Sequence, residues 1–110
     1  MSKLTPEKKV QNKIIAYIKE LQNKGINIDY ERRQAGGFNY QKGKPDLFIV
    51  LEGIHIEIEV KKPGGKTTPL QDKFAERCKK MNCLYYLIDD VEYFKSLMLN
   101  LIKLYSKSSL

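Results

Sequence analysis

Pro45-Asp46-Leu47-Phe48-Ile49-Val50-Leu51-Glu52-Gly53-Ile54-His55-Ile56-Glu57-Ile58-Glu59-Val60-Lys61 decides how this chain folds. Leu47 to Leu51 is a short apolar strand, and Ile54 to Lys61 alternates strictly with period two. Glu52-Gly53 between them fits a two-residue hairpin turn, although Glu is not the favoured first residue. Pairing Leu51 with Ile54 sets Ile49 opposite Ile56 and Leu47 opposite Ile58, so one face is wholly aliphatic. The other face sets Asp46 across from Glu59, with Lys61 on the same side one pleat further on. Directly opposed residues have Cβ atoms roughly 5 Å apart, and like charges there repel. A divalent cation removes the repulsion, and Mg²⁺ or Mn²⁺ takes hard oxygen ligands of this kind. The register therefore predicts a metal at Asp46 and Glu59 with Lys61 beside it, an arrangement suited to cleaving phosphodiesters. Each part has a plainer reading: Glu-x-Lys on an alternating strand is ordinarily a solvated face, and Pro-Asp before a strand is often a turn. What favours the site is that one pairing produces both the aliphatic face and the charged cluster.

Outward from the hairpin, Thr5-Pro6-Glu7 opens a helix with an N-cap and a proline at the first helical position, running to a stop at Gly25. Val10, Ile14, Tyr17, Ile18 and Leu21 form its apolar stripe. Ile26 to Glu31 reads as a strand, and Arg32 to Lys44 as a glycine-bearing basic loop that also holds Phe38 and Tyr40. Lys62 to Lys66 is a turn. Thr68-Pro69-Leu70-Gln71 starts a second helix with capping-box spacing, with Phe74, Ala75, Cys78 and Met81 on its buried side. Leu84 to Ile88 is a strand, and Asp89 to Glu92 offers a capping box for a last helix ending near Tyr105. The order α-β-β-β-α-β-α implies an α/β fold, a small mixed β-sheet flanked by helices on both faces. The 110 residues form a single domain, with a core of about 6–105 and a frayed tail at 106–110.

Two further polar residues point inward. Glu7 heads the buried stripe of the first helix, where a carboxylate also serves the helix macrodipole. Gln71 precedes Phe74, Ala75 and Cys78 on the buried side of the second, where it also completes a capping box with Thr68.

The net charge of +7 favours polyanionic partners. A lysine-rich solvated surface would give the same total, but Arg32, Arg33, Lys42, Lys44, Lys61, Lys62 and Lys66 concentrate in the segments flanking the proposed site. All but Lys61 are candidate contacts to DNA phosphates. Phe38 and Tyr40 could stack on an unpaired base. Cys78 and Cys83, with His55 the one histidine, match neither a zinc site nor a disulfide framework, so both thiols are expected reduced and structural. No apolar run approaches a membrane span and no signal-peptide segment is visible, so no membrane partner and a cytoplasmic location are expected.

Gly43-Lys44-Pro45-Asp46-Leu47, then Ile58-Glu59-Val60-Lys61, then Pro69-Leu70-Gln71, after a helix carrying Glu7 and Gln11, resembles the VRR-NUC family of the PD-(D/E)XK nuclease superfamily. The resemblance spans about Pro6 to Asp90. It implies a restriction-endonuclease-like core and a Mg²⁺- or Mn²⁺-dependent endodeoxyribonuclease without an organic cofactor. Asp46, Glu59 and the Val60 backbone carbonyl would be metal ligands, with Glu7 a further candidate. Lys61 would be catalytic, and Glu7 and Gln71 supporting. It also implies a homodimer acting on branched DNA such as four-way junctions. Compact members of this kind are typical of phages and viruses, which would place the protein in the host cytoplasm, or the nucleus where there is one. Three alternatives remain at this level: a catalytically inactive nucleic-acid-binding module, a sequence-specific restriction-type nuclease, and a protein-interaction domain with no metal dependence.

Overall fold

A computed structural model of the chain describes residues 4–33 and 43–105. Helix α1 (Pro6–Asn23) starts where Thr5 accepts from the Lys8 amide, with Pro6 at a position whose missing N–H costs nothing. It ends at Gly25, whose φ of +89° suits a residue without Cβ. There Ile26 N–H donates to the Leu21 carbonyl and Gly25 N–H to that of Gln22, closing a Schellman motif. Ile26 is thus a buried helix stop, and strand β1 (Ile28–Arg32) begins two residues later than the sequence pattern suggests.

Strands β2 (Leu47–Leu51) and β3 (Ile54–Val60) pair antiparallel as the alternation requires, Leu51 with Ile54, Ile49 with Ile56 and Leu47 with Ile58. Glu52 and Gly53 have φ of +50° and +81°, both positive as the hairpin turn demands. Strand β1 adds antiparallel to β2. Helix α2 (Pro69–Lys80) then carries the chain to β4 (Leu84–Ile88), parallel to β3, in the sheet order β1-β2-β3-β4.

The aliphatic face of that sheet is the floor of the core. Leu47, Ile49, Leu51, Ile56, Ile58, Val60 and Ile88 are closed off from water beneath α1 and helix α3 (Val91–Tyr105). Tyr17 of α1 meets Phe94 of α3 edge to face, the ring centroids 6.2 Å apart. Helix α2 lies on the opposite face, where Phe74 contacts Tyr85. Helices therefore cover both faces, and no helix among the described residues is long and apolar enough to cross a membrane.

Several local expectations shift. Met81 is exposed, because it caps α2 instead of extending its buried side. Asn82 follows in the left-handed region at φ +59°, and Cys83 N–H donates to the Cys78 carbonyl. Both thiols are free, Cys78 buried and Cys83 exposed. Asp90, not Asp89, opens α3: its Oδ1 accepts from Glu92 N–H and its carbonyl from Phe94 N–H. On α3, Leu101 is 5% exposed and belongs to the core, whereas Leu104 is 73% exposed. Phe38, Tyr40, Lys42 and the tail after Tyr105 lie outside the described residues.

Candidate metal centre

Asp46 stands immediately before β2, and continuing the Leu47–Ile58 register by one residue places it against Glu59. Its backbone carbonyl accepts from Arg33 N–H at 2.7 Å, which extends the β1–β2 ladder to the lip of the site. The approach to Asp46 is held by Gly43, whose φ is +88°. A Cβ there would sit 2.8 Å from the Leu70 carbonyl oxygen, inside any real contact. Conformation and space both require glycine, and the consequence is that segment 43–46 lies directly on the first turn of α2.

That turn carries Gln71, whose amide works in two directions. Its Oε1 accepts from Thr68 N–H at 2.9 Å while Thr68 Oγ1 accepts from Gln71 N–H, completing the capping box. Its Nε2 donates to Glu59 Oε2 at 3.3 Å. The capping and site readings of Gln71 therefore hold together: the cap fixes the rotamer that reaches Glu59.

Glu59 is 1% exposed, and its Oε1 is buried with no hydrogen-bond partner among the described residues. An uncompensated buried carboxylate oxygen is costly. Burial, followed by the charges of Asp46 and Glu7 and against the pull of Lys61, pushes the Glu59 carboxyl up to about 8. Asp46 is raised too, first by burial and then by Glu7, with Lys61, Lys8 and Arg33 opposing. Three acidic groups from α1, the β2 entry and β3 thus feel one another, with Lys61 at the end of β3 among them. They are not drawn together as a ready three-carboxylate cage: no group of three His, Cys, Asp or Glu among the described residues is arranged to hold a metal. Glu7 acts within electrostatic reach of the other two.

The donor set nevertheless suits a hard divalent ion. Mg²⁺ is bound by one or two carboxylates with several waters retained, and two carboxyl groups whose charges oppose each other are what such an ion neutralises.

The basic residues separate into groups. Lys62 and Lys66 are exposed on the turn after β3, which is pinned by Gly65 N–H to the Lys62 carbonyl and by Gly64 N–H to Asp89 Oδ2. Lys44 is half-buried, and Arg32 is exposed and donates to Asn12 Oδ1. Arg33, expected at a phosphate, lies on a carboxylate of the protein. Its side chain forks onto Glu57, Nη1 to Oε1 at 2.6 Å and Nη2 to Oε2 at 2.9 Å. Glu57 Oε2 also meets Nε2 of His55, which stacks on Phe48. Sequence reasoning also missed Lys8, which bears on Asp46 and donates to the buried Gln11 at 3.2 Å. Period-two alternation does place Glu57 on the Glu59 face, but nothing local names Arg33 as its partner.

No family profile and no curated protein matches the chain. Among solved structures it is similar to one described as a VRR_NUC domain, at 23% identity and a TM-score of 0.70, covering 86% of this chain and 96% of that one. The chain has the fold of a VRR_NUC domain, in the element order and with the mixed sheet that the sequence predicts.

Proposed function

We propose that this protein is a metal-dependent nuclease that hydrolyses phosphodiester bonds in DNA. The observation that carries the reading is the buried Glu59 carboxylate, its Oε1 without a partner among the described residues, set against Asp46 beside Lys61 on the fold of a VRR_NUC domain. Asp46 and Glu59, with the Val60 carbonyl, would hold Mg²⁺ or Mn²⁺, and Glu7 would bind a second ion or a bound water. Such an ion, when bound, supplies Lewis-acid polarisation of a phosphate oxygen and acidifies water.

The chain's own groups do the rest. Gln71 holds Glu59 in one orientation through its capped amide, so the ligand does not have to be ordered when the ion arrives. Lys61 places a cation beside the two carboxylates, positioned to orient the attacking water or to offset charge on the phosphate oxygens. Lys62, Lys66, Lys44 and Arg32 neutralise flanking phosphates, giving affinity without reading sequence.

The finer reading is a structure-selective endonuclease acting on branched DNA as a homodimer. One small domain carries one site, and paired cuts in opposing strands require two; a two-fold dimer supplies them. The exposed Leu104 and Tyr105 of α3 are the surface to perturb. Linear, nicked, flap and four-way DNA incubated with Mg²⁺, with Mn²⁺ and with chelator decides the activity. Wild type should cut branched substrates only with metal, and Asp46→Asn or Glu59→Gln should not cut. Cleavage that survives chelator or either substitution would remove the metal site. Sedimentation equilibrium at micromolar concentration should give a dimer that Leu104→Arg weakens, and a monomer making paired cuts would remove the dimeric reading.

A further inference from the structure

Arg33 is half-buried and its guanidinium is engaged by protein groups. Its guanidinium forks onto the buried Glu57, and Nη1 also donates to the Pro45 carbonyl oxygen at 2.9 Å. The ring of Phe48 lies under the guanidinium, 4.9 Å from Cζ to centroid, and is itself stacked on His55. The Arg33 backbone joins in, its N–H donating to the Asp46 carbonyl. One residue therefore grips both carbonyls of the Pro45-Asp46 pair, one with its side chain and one with its main chain.

We infer that Arg33, braced by Glu57, is a positioning residue that fixes the Pro45–Asp46 segment so that the Asp46 carboxylate faces Glu59, and is not a contact to DNA. The inference rests on the reading of Asp46 as a metal ligand. The chemistry supports the assignment. A phosphate approaching Arg33 would compete with a bidentate carboxylate that is already matched to the guanidinium fork. Glu57 is 5% exposed, so it would stay buried without the guanidinium that matches both its oxygens, keeping His55 at Oε2, if Arg33 turned outward. Lysine cannot substitute: a single ammonium on a flexible stem lacks the planar fork that spans Glu57 and Pro45 together. Asp46 itself follows a proline and precedes the first β2 pair, so among the described residues the clamp adds to the ladder bond from Arg33 N–H and the close approach of Gly43 to α2 in holding it in place.

The test uses the full chain with three variants: Arg33→Lys, Glu57→Gln, and the double Arg33→Met with Glu57→Met, which removes both charges and so avoids stranding one. Calorimetric titration with Mn²⁺ should show binding weakened about tenfold to a hundredfold in all three, the range for losing a group that orients a metal ligand. The salt dependence of DNA binding should keep its wild-type slope in Arg33→Lys and in the double variant. Hydrogen exchange of the metal-free protein should quicken about tenfold in residues 44–47 while the β2–β3 turn stays as in wild type. A merely structural ion pair would loosen the sheet as a whole and leave no selective change at 44–47. Wild-type Mn²⁺ affinity in the variants together with a shallower salt slope would overturn the inference and return Arg33 to the DNA surface. If wild type binds no Mn²⁺, the metal reading falls, and exchange at 44–47 still decides whether the clamp exists.

Discussion

Replacing Glu59 by glutamine should remove the pH dependence that this carboxyl imposes on the metal-free protein. In the folded state the group ionises near 8, against an ordinary value of 4.5, because it is buried beside Asp46 and Glu7. Below pH 4.5 it is protonated whether the chain is folded or not. Between 4.5 and 8 the unfolded chain releases the proton while the folded one keeps it, so stability falls as pH rises, and above 8 the loss is complete. At about 1.4 kcal/mol per pH unit, that gap sets an upper figure of roughly 5 kcal/mol. This is a large part of the total stability of roughly 5–15 kcal/mol of an ordinary domain. Glutamine keeps the shape and can still accept from Gln71, but it cannot ionise. Urea unfolding in chelator from pH 5 to pH 9 should therefore show Glu59→Gln close to wild type at pH 5 and more stable by several kcal/mol at pH 9. The raised Asp46 adds a smaller fall in the same direction, common to both proteins. Mn²⁺ at pH 8 should restore wild type, by about 2.7 kcal/mol at a hundredfold excess over Kd, and leave the variant unmoved. A wild-type-minus-variant difference that stays flat across the range would refute the reasoning, since Glu59 would then be ionised at no cost.

Gly43→Ala should destabilise clearly more than Gly53→Ala, because both have positive φ but only the first would drive a Cβ to 2.8 Å from the Leu70 carbonyl. The added cost should exceed about 1 kcal/mol in urea unfolding, and equal losses would mean that segment 43–46 does not rest on α2. Gln71→Glu keeps the capping box but sets another carboxylate against Glu59, so helix content by circular dichroism should hold while metal-dependent cleavage drops at least tenfold. Unchanged cleavage would reduce Gln71 to a cap. Replacing Lys62 and Lys66 together should shallow the salt dependence of DNA binding by ~0.9 for each duplex phosphate that is no longer neutralised, read from filter binding across salt concentrations. A slope that does not move places the DNA surface away from this turn.

Much of the architecture follows from short-range pattern. Strict alternation from Ile54 to Val60 against an apolar run leaves one register that buries Leu47, Ile49, Leu51, Ile56, Ile58 and Val60 together, and that register brings Asp46 to Glu59. Helix spacing likewise names Val10, Ile14, Tyr17, Ile18 and Leu21 as the inner stripe of α1, and Thr68 with Gln71 announces a cap within four residues. These features are legible because the interacting groups lie within a few residues or share a period. The tertiary structure decided what depends on distance in space. Arg33 and Arg32 are neighbours in the same basic segment, yet at the end of β1 one side chain goes to Glu57, 24 residues away, and the other to Asn12 on α1. Asp89 and Asp90 can each cap a helix, and the choice fell to Asp90 because Asp89 reaches the turn after β3. Leu101 and Leu104 are both apolar residues of α3 three positions apart, but of the two only Leu101 meets the core. Periodicity assigns a face, whereas a partner is chosen by side-chain reach and by what the packed elements place opposite it.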